Sequence, residues 1–351
     1  MEIKKASRSR RDQIDFDNPG FGEVFSDHML IVDYKGGKWG APQIVPYGTI
    51  DIYPAICSLH YGQVVFEGLK AFYIRNGKIN IFRLQKYHER MNRSNQRLCI
   101  PEISLDLFRE SLIELVKFDK EWVPRKRGNS LYLRPFVFAT DNFLGVKVSE
   151  SYRFMIITSP VGAYYKEGIN PVKLTTPGEY VRAAKGGLGA AKTPANYAAT
   201  LLPGEVAKKR GFTQVLWLDG IEGKYIEEVG TMNIFFYIGD ELITPPLEGT
   251  ILPGVTRDSV IQLAKEWRIK VIERKISIDE VFQASKEGRL KEIFGSGTAA
   301  VISPVGEIHH GDNRIIINQG KIGALSQKLY DEITGIQYGE KEDRFGWCYF
   351  L

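Results

Sequence analysis

Cysteine is scarce: Cys57, Cys99 and Cys348 are odd in number and far apart in a chain of 351 residues. This excludes a disulfide-stapled scaffold and a thiolate metal centre, and it fits a reducing compartment. No apolar run reaches the roughly 20 residues that a membrane helix needs. The N-terminal segment lacks a signal-peptide core, and its Lys4, Lys5, Arg8, Arg10 and Arg11 are followed by Asp12, Asp15 and Asp17, which a transit peptide avoids. A cytoplasmic protein without a membrane partner is expected. Neither sign of charge dominates, with 47 basic residues against 42 acidic ones. The basic clusters at the start and at Arg125, Lys126 and Arg127 have no interleaved aromatics, so a solvated face is expected and not a nucleic-acid site. The histidines, His309-His310 among them, match no metal spacing.

What remains is ordinary globular composition, 43% hydrophobic and 25% charged, over a length that suits two domains. Residues 69–83 alternate around Asn76-Gly77, a hairpin signal, and Arg83 stands where the second strand gives way to a polar helix. Ser104 reads as the N-cap of a helix burying Leu105, Phe108, Leu112, Leu115 and Val116. Residues 131–140 and 151–160 read as strands. From 161 to 171 the texture loosens into Gly, Pro and Tyr, which predicts a small N-terminal α/β domain (1–162), a connection (163–172) and a large C-terminal domain (173–351). Beyond it come a strand at 213–218, a hairpin at 232–244 turning at Gly239-Asp240, and a helix from Thr256. A capping box at Ser277 and Glu280 follows, then a last helix capped by Ser326. Strands and helices mix without a regular βαβ alternation, so the expected class is α+β.

Four places carry chemistry. "GGLGAAKTPANYAAT" (186–200) sets Lys192 among small residues, where bulky groups can approach the backbone. A phosphate loop is excluded because Ala191 replaces its last glycine and "TTPGEYVRAAK" is no buried strand. An ordinary loop lysine remains open on this stretch alone. Glu228, in "EEVGTMNIFF", begins a hairpin where a buried carboxylate needs a partner. The Val255 and Thr256 amides after Pro253-Gly254 open a helix, an anion site by geometry. "GSGTAAV" (295–301) is a third amide-rich turn. A lysine, an acid, Arg83 at a strand end and two amide-lined turns together meet the needs of pyridoxal 5′-phosphate: an amine, a ring-nitrogen partner and a phosphate cup.

The ordered blocks "FGEVFSDHML", "SLHYGQVVFEGLKAF", "LYLRPFVF", "SPVGAYY", "FTQVLWLDG", "EVGTMNIFFYI", "LITPPLEGTILPGVTRDSV" and "IFGSGTAAVISPV" resemble the branched-chain amino acid aminotransferases. These are fold type IV pyridoxal-phosphate enzymes with two domains and the active site between them. The resemblance spans roughly residues 20–340 and implies transamination between leucine, isoleucine or valine and 2-oxoglutarate. It implies Lys192 as the Schiff-base lysine and Glu228 as the partner of the ring nitrogen. Arg83 with the Val255 and Thr256 amides holds the phosphate, Arg182 supports the phosphate side, and Tyr197 lies beside the ring. Thr298 serves cofactor and substrate, and with Ala299, Tyr132 and Arg134 it receives the substrate carboxylate. Phe21, Tyr61, Phe66 and Tyr164 line the side-chain pocket, with Leu144 and Val146 contributed by the second subunit of a homodimer. The same-fold alternatives are a D-amino-acid aminotransferase and an aminodeoxychorismate lyase. The chain departs from some relatives at Ala300 and Ser303, where they carry a Cys-x-x-Cys pair, so no thiol switch is expected. It also departs at Pro203-Gly204, where a helix kink is expected.

Overall fold

Alternation through the middle of strand Ser130–Ala139 organises the first half of the chain. Leu131, Leu133 and Val137 are fully buried, while Tyr132, Arg134 and Phe136 point to the opposite, half-buried face. This strand pairs along its whole length with Tyr152–Val161, from Ser130 opposite Val161 to Ala139 opposite Tyr152. In the computed structural model, which describes residues 1–75, 77–162 and 169–351, the two are the centre of a ten-stranded sheet. From one edge its order is Glu2–Ile3, Gln43–Pro46, His28–Lys35, Tyr152–Val161, Ser130–Ala139, Leu69–Tyr73, Ile79–Phe82 and Cys348–Phe350. Lys38–Trp39 and Val64–Phe66 pair beside this path.

The expected hairpin is present as Leu69–Tyr73 against Ile79–Phe82, with Gly77 at φ +82° in its turn; Asn76 lies outside the described residues. Helix Leu84–Arg97 follows at once. It reads as polar, yet Leu84, Tyr87, Arg90, Met91, Ser94 and Asn95 are all buried on one face, so several of its polar side chains have internal partners to meet. Ser104 caps helix Leu105–Phe118 by accepting from the Leu107 amide at 3.2 Å. The basic stretch at 125–127 is occupied with intramolecular contacts: Arg127 pairs with Glu340 at 2.8 Å and Lys126 donates to the Asp17 carbonyl.

The second half closes a sheet on itself. Strands run Ile226–Val229, Gln214–Leu218, Val172–Thr175, Val301–His310, Leu290–Gly297 and Met232–Ile238, and the last pairs back with the first. The ring leaves these strands no open edge. Glu241–Thr244 and Lys270–Glu273 extend it from Met232–Ile238. Pairings are mixed, with parallel contacts on both sides of Val172–Thr175. The class is α+β, as expected.

Contacts divide the described chain into two compact units that differ from the expected domains. The first holds residues 1–162 together with Ala191–Pro194 and Gly335–Leu351; the second holds 169–190 and Ala195–Thr334. The first is no smaller than the second, and Lys192 belongs to it. Hydrogen bonding gives the reason. Cys348–Phe350 pairs antiparallel with Ile79–Phe82, and the Phe66 amide donates to the Lys192 carbonyl at 3.1 Å. Most of the expected connection, residues 163–168, lies outside the described residues.

Three local expectations need correcting. Helix Ala324–Gln337 is not capped by Ser326, which lies inside it. The cap is Glu292, whose carboxylate accepts from the Leu325 amide, the Ser326 amide and the Ser326 hydroxyl, each at 2.8 Å, answering the first-turn donors and the helix dipole together. At Ser277 only half of the capping box forms. Its hydroxyl accepts from the Glu280 amide at 3.0 Å, while the Glu280 carboxylate is bound by Arg274. Pro203-Gly204 produces no kink in mid-helix, because the chain breaks earlier, between Pro194–Ala198 and Leu201–Lys209. Pro203 then falls in the first turn, where a missing amide leaves no hydrogen bond unmade.

Candidate active site

In the first unit the frame is helix Leu84–Arg97. At its N-terminal junction Arg83 adopts the left-handed conformation, φ 59° and ψ 29°, a strained state for a non-glycine residue. Near mid-helix, Arg90 grips Glu67 with two hydrogen bonds, 2.7 and 2.8 Å, and both side chains are buried. Closer to the helix end Ser94 accepts from the Lys192 amide at 2.9 Å. Lys192 is thus held through both backbone groups, by Ser94 and by Phe66. At 1.5 Å per residue the helix sets Arg83 and Ser94 about 16 Å apart.

Around Lys192 the sheet supplies aromatics and a cation. Its Nζ lies 4.9 Å from the centre of the Phe66 ring. The Arg134 guanidinium lies 4.9 Å from the same ring and 5.3 Å from that of Tyr132, and it donates to the Tyr132 hydroxyl at 3.3 Å. Phe21 meets Tyr132 edge-on at 5.6 Å. Tyr132 and Arg134 share a face because they are two apart on one strand, and Phe66 joins them because its strand pairs there, opposite Phe136. A Cβ at Gly68 would collide with the Tyr132 hydroxyl, so glycine is required after Glu67.

In the second unit the barrel strands hold the carboxylate. Glu228 is 3% exposed. One oxygen lies 2.7 Å from Arg182 Nε; the other accepts from Asn233 Nδ2 at 3.0 Å and the Leu252 amide at 3.1 Å. Two N–H donors and the Arg182 cation are the neighbours a carboxylate favours. Arg182 also donates to the Gly189 and Thr250 carbonyls. Its described partners tie it to Glu228 and to the glycine-rich loop. Asn233 packs so closely on Gly254 that a Cβ there would strike its Oδ1. Gly254 is the N-cap of helix Val255–Glu266 and provides no side-chain cap bond. The Val255 and Thr256 amides thus open a helix one residue earlier than expected, at the positive end of its dipole. Thr298 and Ala299 occupy the turn from Leu290–Gly297 to Val301–His310, where Val301 is forced to φ +63°. A β-branched residue is strained there. Tyr197 is half-buried, and its carbonyl takes both the amide and the hydroxyl of Thr200.

Three expected pocket residues are exposed on the described chain. Tyr61 is 44% exposed, Leu144 67% and Val146 87%. Tyr164 lies outside the described residues. Sequence reasoning passes over Ser94, Glu67, Arg90 and Asn233, all polar groups, most of whose partners are remote in the chain. The one available signal is the polar face of Leu84–Arg97, which a solvent-facing helix explains equally well.

The donor set fits pyridoxal phosphate: an amine on a fixed backbone, a buried carboxylate with its own hydrogen-bond shell, an arginine at a strand end and a helix start without a side-chain cap. The family pattern of class IV amino-transferases matches residues 64–308. The branched-chain-amino-acid aminotransferase 2 of Bacillus subtilis (strain 168) is 56% identical over 328 residues, covering 93% of this chain and 90% of the relative. The crystal structure of the Escherichia coli branched-chain amino acid aminotransferase superposes with a TM-score of 0.76 at 27% identity, over 92% of this chain and 98% of that one. A T.th. branched-chain amino acid aminotransferase, solved with pyridoxamine 5′-phosphate, gives 0.74 at 25% identity over 91% and 97%. This chain belongs to the class IV aminotransferases, in the branched-chain amino acid aminotransferase family of fold type IV pyridoxal-phosphate enzymes.

Proposed function

We propose that the chain is a branched-chain-amino-acid transaminase in which Lys192 is the catalytic residue. It transfers the amino group reversibly between L-leucine, L-isoleucine or L-valine and 2-oxoglutarate, with pyridoxal 5′-phosphate as cofactor. The strongest support for the role of Lys192 is its setting: a backbone held at both ends and an amine over the Phe66 ring, which Arg134 also meets.

When bound, the cofactor supplies an electron-withdrawing ring and the carbon that carries the amino group. Lys192 Nζ would hold it and, as a free amine, would take the proton from the substrate Cα as general base and give it up again as acid. Glu228 would pair with the protonated ring nitrogen, and Arg182 and Asn233 orient that carboxylate. Arg83 and the Val255 and Thr256 amides bind the phosphate, while Tyr197 hydrogen-bonds the ring. Thr298 and Ala299 take the substrate carboxylate. Phe21 and Phe66 form an apolar wall for a branched side chain, with Tyr61 and Tyr164 completing it. Arg134 and Tyr132 serve the distal carboxylate of glutamate. An apolar pocket separates substrates differing by one methylene by only about 1–3 kcal/mol, so all three branched-chain amino acids are accepted.

A second copy of the chain completes the pocket, and the protein is a cytoplasmic homodimer. Leu144 and Val146 stand out in water with Tyr53 and Leu59, 66% and 64% exposed, an apolar surface of the kind that partners cover. Asp141 braces their loop by accepting from the Ser151 amide (2.9 Å) and hydroxyl (2.6 Å), the Glu150 amide (3.1 Å) and Lys147 (3.1 Å). Burial pushes the Asp141 carboxyl up, but these hydrogen bonds outweigh it and hold it down at about 2. A carboxyl lowered on folding contributes stability that is present above its unfolded value of ~3.9 and lost as pH falls through the folded one. The loop is therefore fully braced at neutral pH. Asp141→Asn raises KM for leucine about 3- to 10-fold with little change in kcat, matching the net worth of about 1 kcal/mol for an ordinary hydrogen bond. Steady-state kinetics check this, and an unchanged KM would refute the bracing role.

The function is tested by the visible absorption of the purified protein. A band that bleaches with L-leucine and returns with 2-oxoglutarate is the expected result. A band that ignores leucine and responds to D-alanine would move the activity to D-amino acids, and a colourless protein after addition of pyridoxal phosphate would sink the assignment.

A further inference from the structure

The C-terminal segment is not used by the chemistry above, yet it closes on one of its residues. Cys348–Phe350 adds the last strand of the first sheet, with Cys348 opposite Phe82 and Phe350 opposite Asn80. The Tyr349 amide donates to Asn80 Oδ1 at 3.1 Å, and the Leu351 amide to the Ile79 carbonyl at 2.8 Å. The turn into this strand is set by Asp343, whose two carboxylate oxygens accept from the Trp347 amide (2.9 Å) and the Cys348 amide (2.7 Å). This registers Trp347 against Arg83. The Arg83 amide donates to the Trp347 carbonyl at 2.6 Å, and its guanidinium carbon lies 4.9 Å from the centre of the indole. Both residues are buried, Arg83 at 4% exposure and Trp347 at 5%. The indole is itself wedged, stacked on Phe345 at 4.4 Å and edge-on to Phe82 at 5.7 Å.

We infer that Trp347 is a positioning residue for Arg83, and that through it the C-terminal strand sets how tightly the protein grips the phosphate of its cofactor. The inference rests on the proposed role of Arg83 as a phosphate ligand. An arginine recognises phosphate through a planar fork, so its orientation matters as much as its charge. Most rotations of a guanidinium keep the charge in place but turn the fork away. A flat, immobilised ring against it removes that freedom and adds a cation–π attraction that is stronger when desolvated. The backbone bond acts on a second weak point. Arg83 occupies a left-handed conformation that persists only where its surroundings over-determine it, and the Trp347 carbonyl is one of the groups that do so. The strained residue, the ring over its side chain and the strand that delivers the ring make one device.

The test compares two ligands on protein freed of cofactor and reconstituted: pyridoxal phosphate, and pyridoxal, which lacks the phosphate. Trp347→Leu weakens pyridoxal phosphate about tenfold, the loss of one desolvated cation–π contact, and leaves pyridoxal unchanged. Arg83→Gln shows the same selectivity with a larger loss. Equal weakening of both ligands by Trp347→Leu would make Trp347 a packing residue and overturn the inference. An unchanged affinity for pyridoxal phosphate in Trp347→Leu, with Arg83→Gln selective, would overturn it while leaving the role of Arg83 intact. If Arg83→Gln is not selective, the phosphate role itself fails, and the inference with it. Should Trp347→Leu not fold, Trp347→Phe carries the test: a smaller ring gives about a threefold selective loss, and wild-type affinity for both ligands overturns the proposal.

Discussion

Exchange of Lys192 for alanine lowers leucine turnover by at least about 10⁴-fold, the full worth of a positioned acid–base group, and leaves the fold standing. The two halves of that expectation have separate causes. Every proposed proton movement between substrate carbon and protein runs through Lys192 Nζ, with no second amine given a share in it. The residue's structural ties are to its backbone: its amide donates to Ser94 and its carbonyl accepts from Phe66. Alanine keeps both. The side chain rests over the Phe66 ring, a contact whose loss is worth about 0.5–1 kcal/mol. Thermal unfolding should therefore change by a few degrees at most, while single-turnover kinetics with leucine collapse. Partial rescue by a small primary amine in solution would show that the missing function is a base and not an altered pocket. Turnover within tenfold of the parent would mean that another group moves the proton.

The largest effect on stability is expected at Glu67. Glu67→Ala destabilises the protein by about 3–5 kcal/mol, a fall in Tm of roughly 10 °C for a unit of this size. The Glu67 side chain is 0% exposed and Arg90 4%. Their two hydrogen bonds are supplemented by the Gly68 amide, which donates to Glu67 Oε2 at 3.0 Å. Deleting the carboxylate removes both hydrogen bonds that the buried Arg90 guanidinium, beside Tyr87, makes to it. The loss reaches the active site as well, because Glu67 lies between Phe66, which holds Lys192, and Gly68, which makes room for Tyr132. Calorimetry measures the effect, and the double variant Glu67→Leu with Arg90→Met separates its parts. An apolar pair of similar volume should recover much of the stability. Were Glu67→Ala to cost less than about 1 kcal/mol, well below the usual cost of breaking a buried pair, the site would be relaxed by water and could not brace Phe66.

Some local structure is legible in the chain, and the residue types able to react stand out in it. Ser104, Gly77 and Gly239-Asp240 mark their cap and turns through rules that act within a few residues, and they hold in the fold. Lys192, Glu228 and Arg83 stand out because chemistry restricts residue type and small neighbours mark where a backbone must be approached. Ser326 shows the limit of such rules. A serine near a helix start resembles a cap, but the donors there are answered by Glu292 from 33 and 34 residues away, and no local pattern records a remote carboxylate. The pairing of Arg182 with Glu228 is likewise invisible in the chain, since charge alone does not name an arginine's partner. Pro203 does not bend the helix that holds it, because a helix can restart so that a proline falls in its first turn, and only the fold shows where it restarts.

By itself, then, the sequence determined the class of fold, the hairpins at 69–83 and 232–244, the paired strands at 131–140 and 151–160, and the residue types suited to transamination, since each depends on side-chain periodicity or on functional-group chemistry. Tertiary structure alone decided how those residues are held. Ser94 reaches Lys192, Arg90 reaches Glu67, Arg182 and Asn233 reach Glu228, and Trp347 returns to Arg83 across most of the chain. Each pairing is set by strand register and by the exclusion of water around buried polar groups, which must find a partner wherever the fold supplies one.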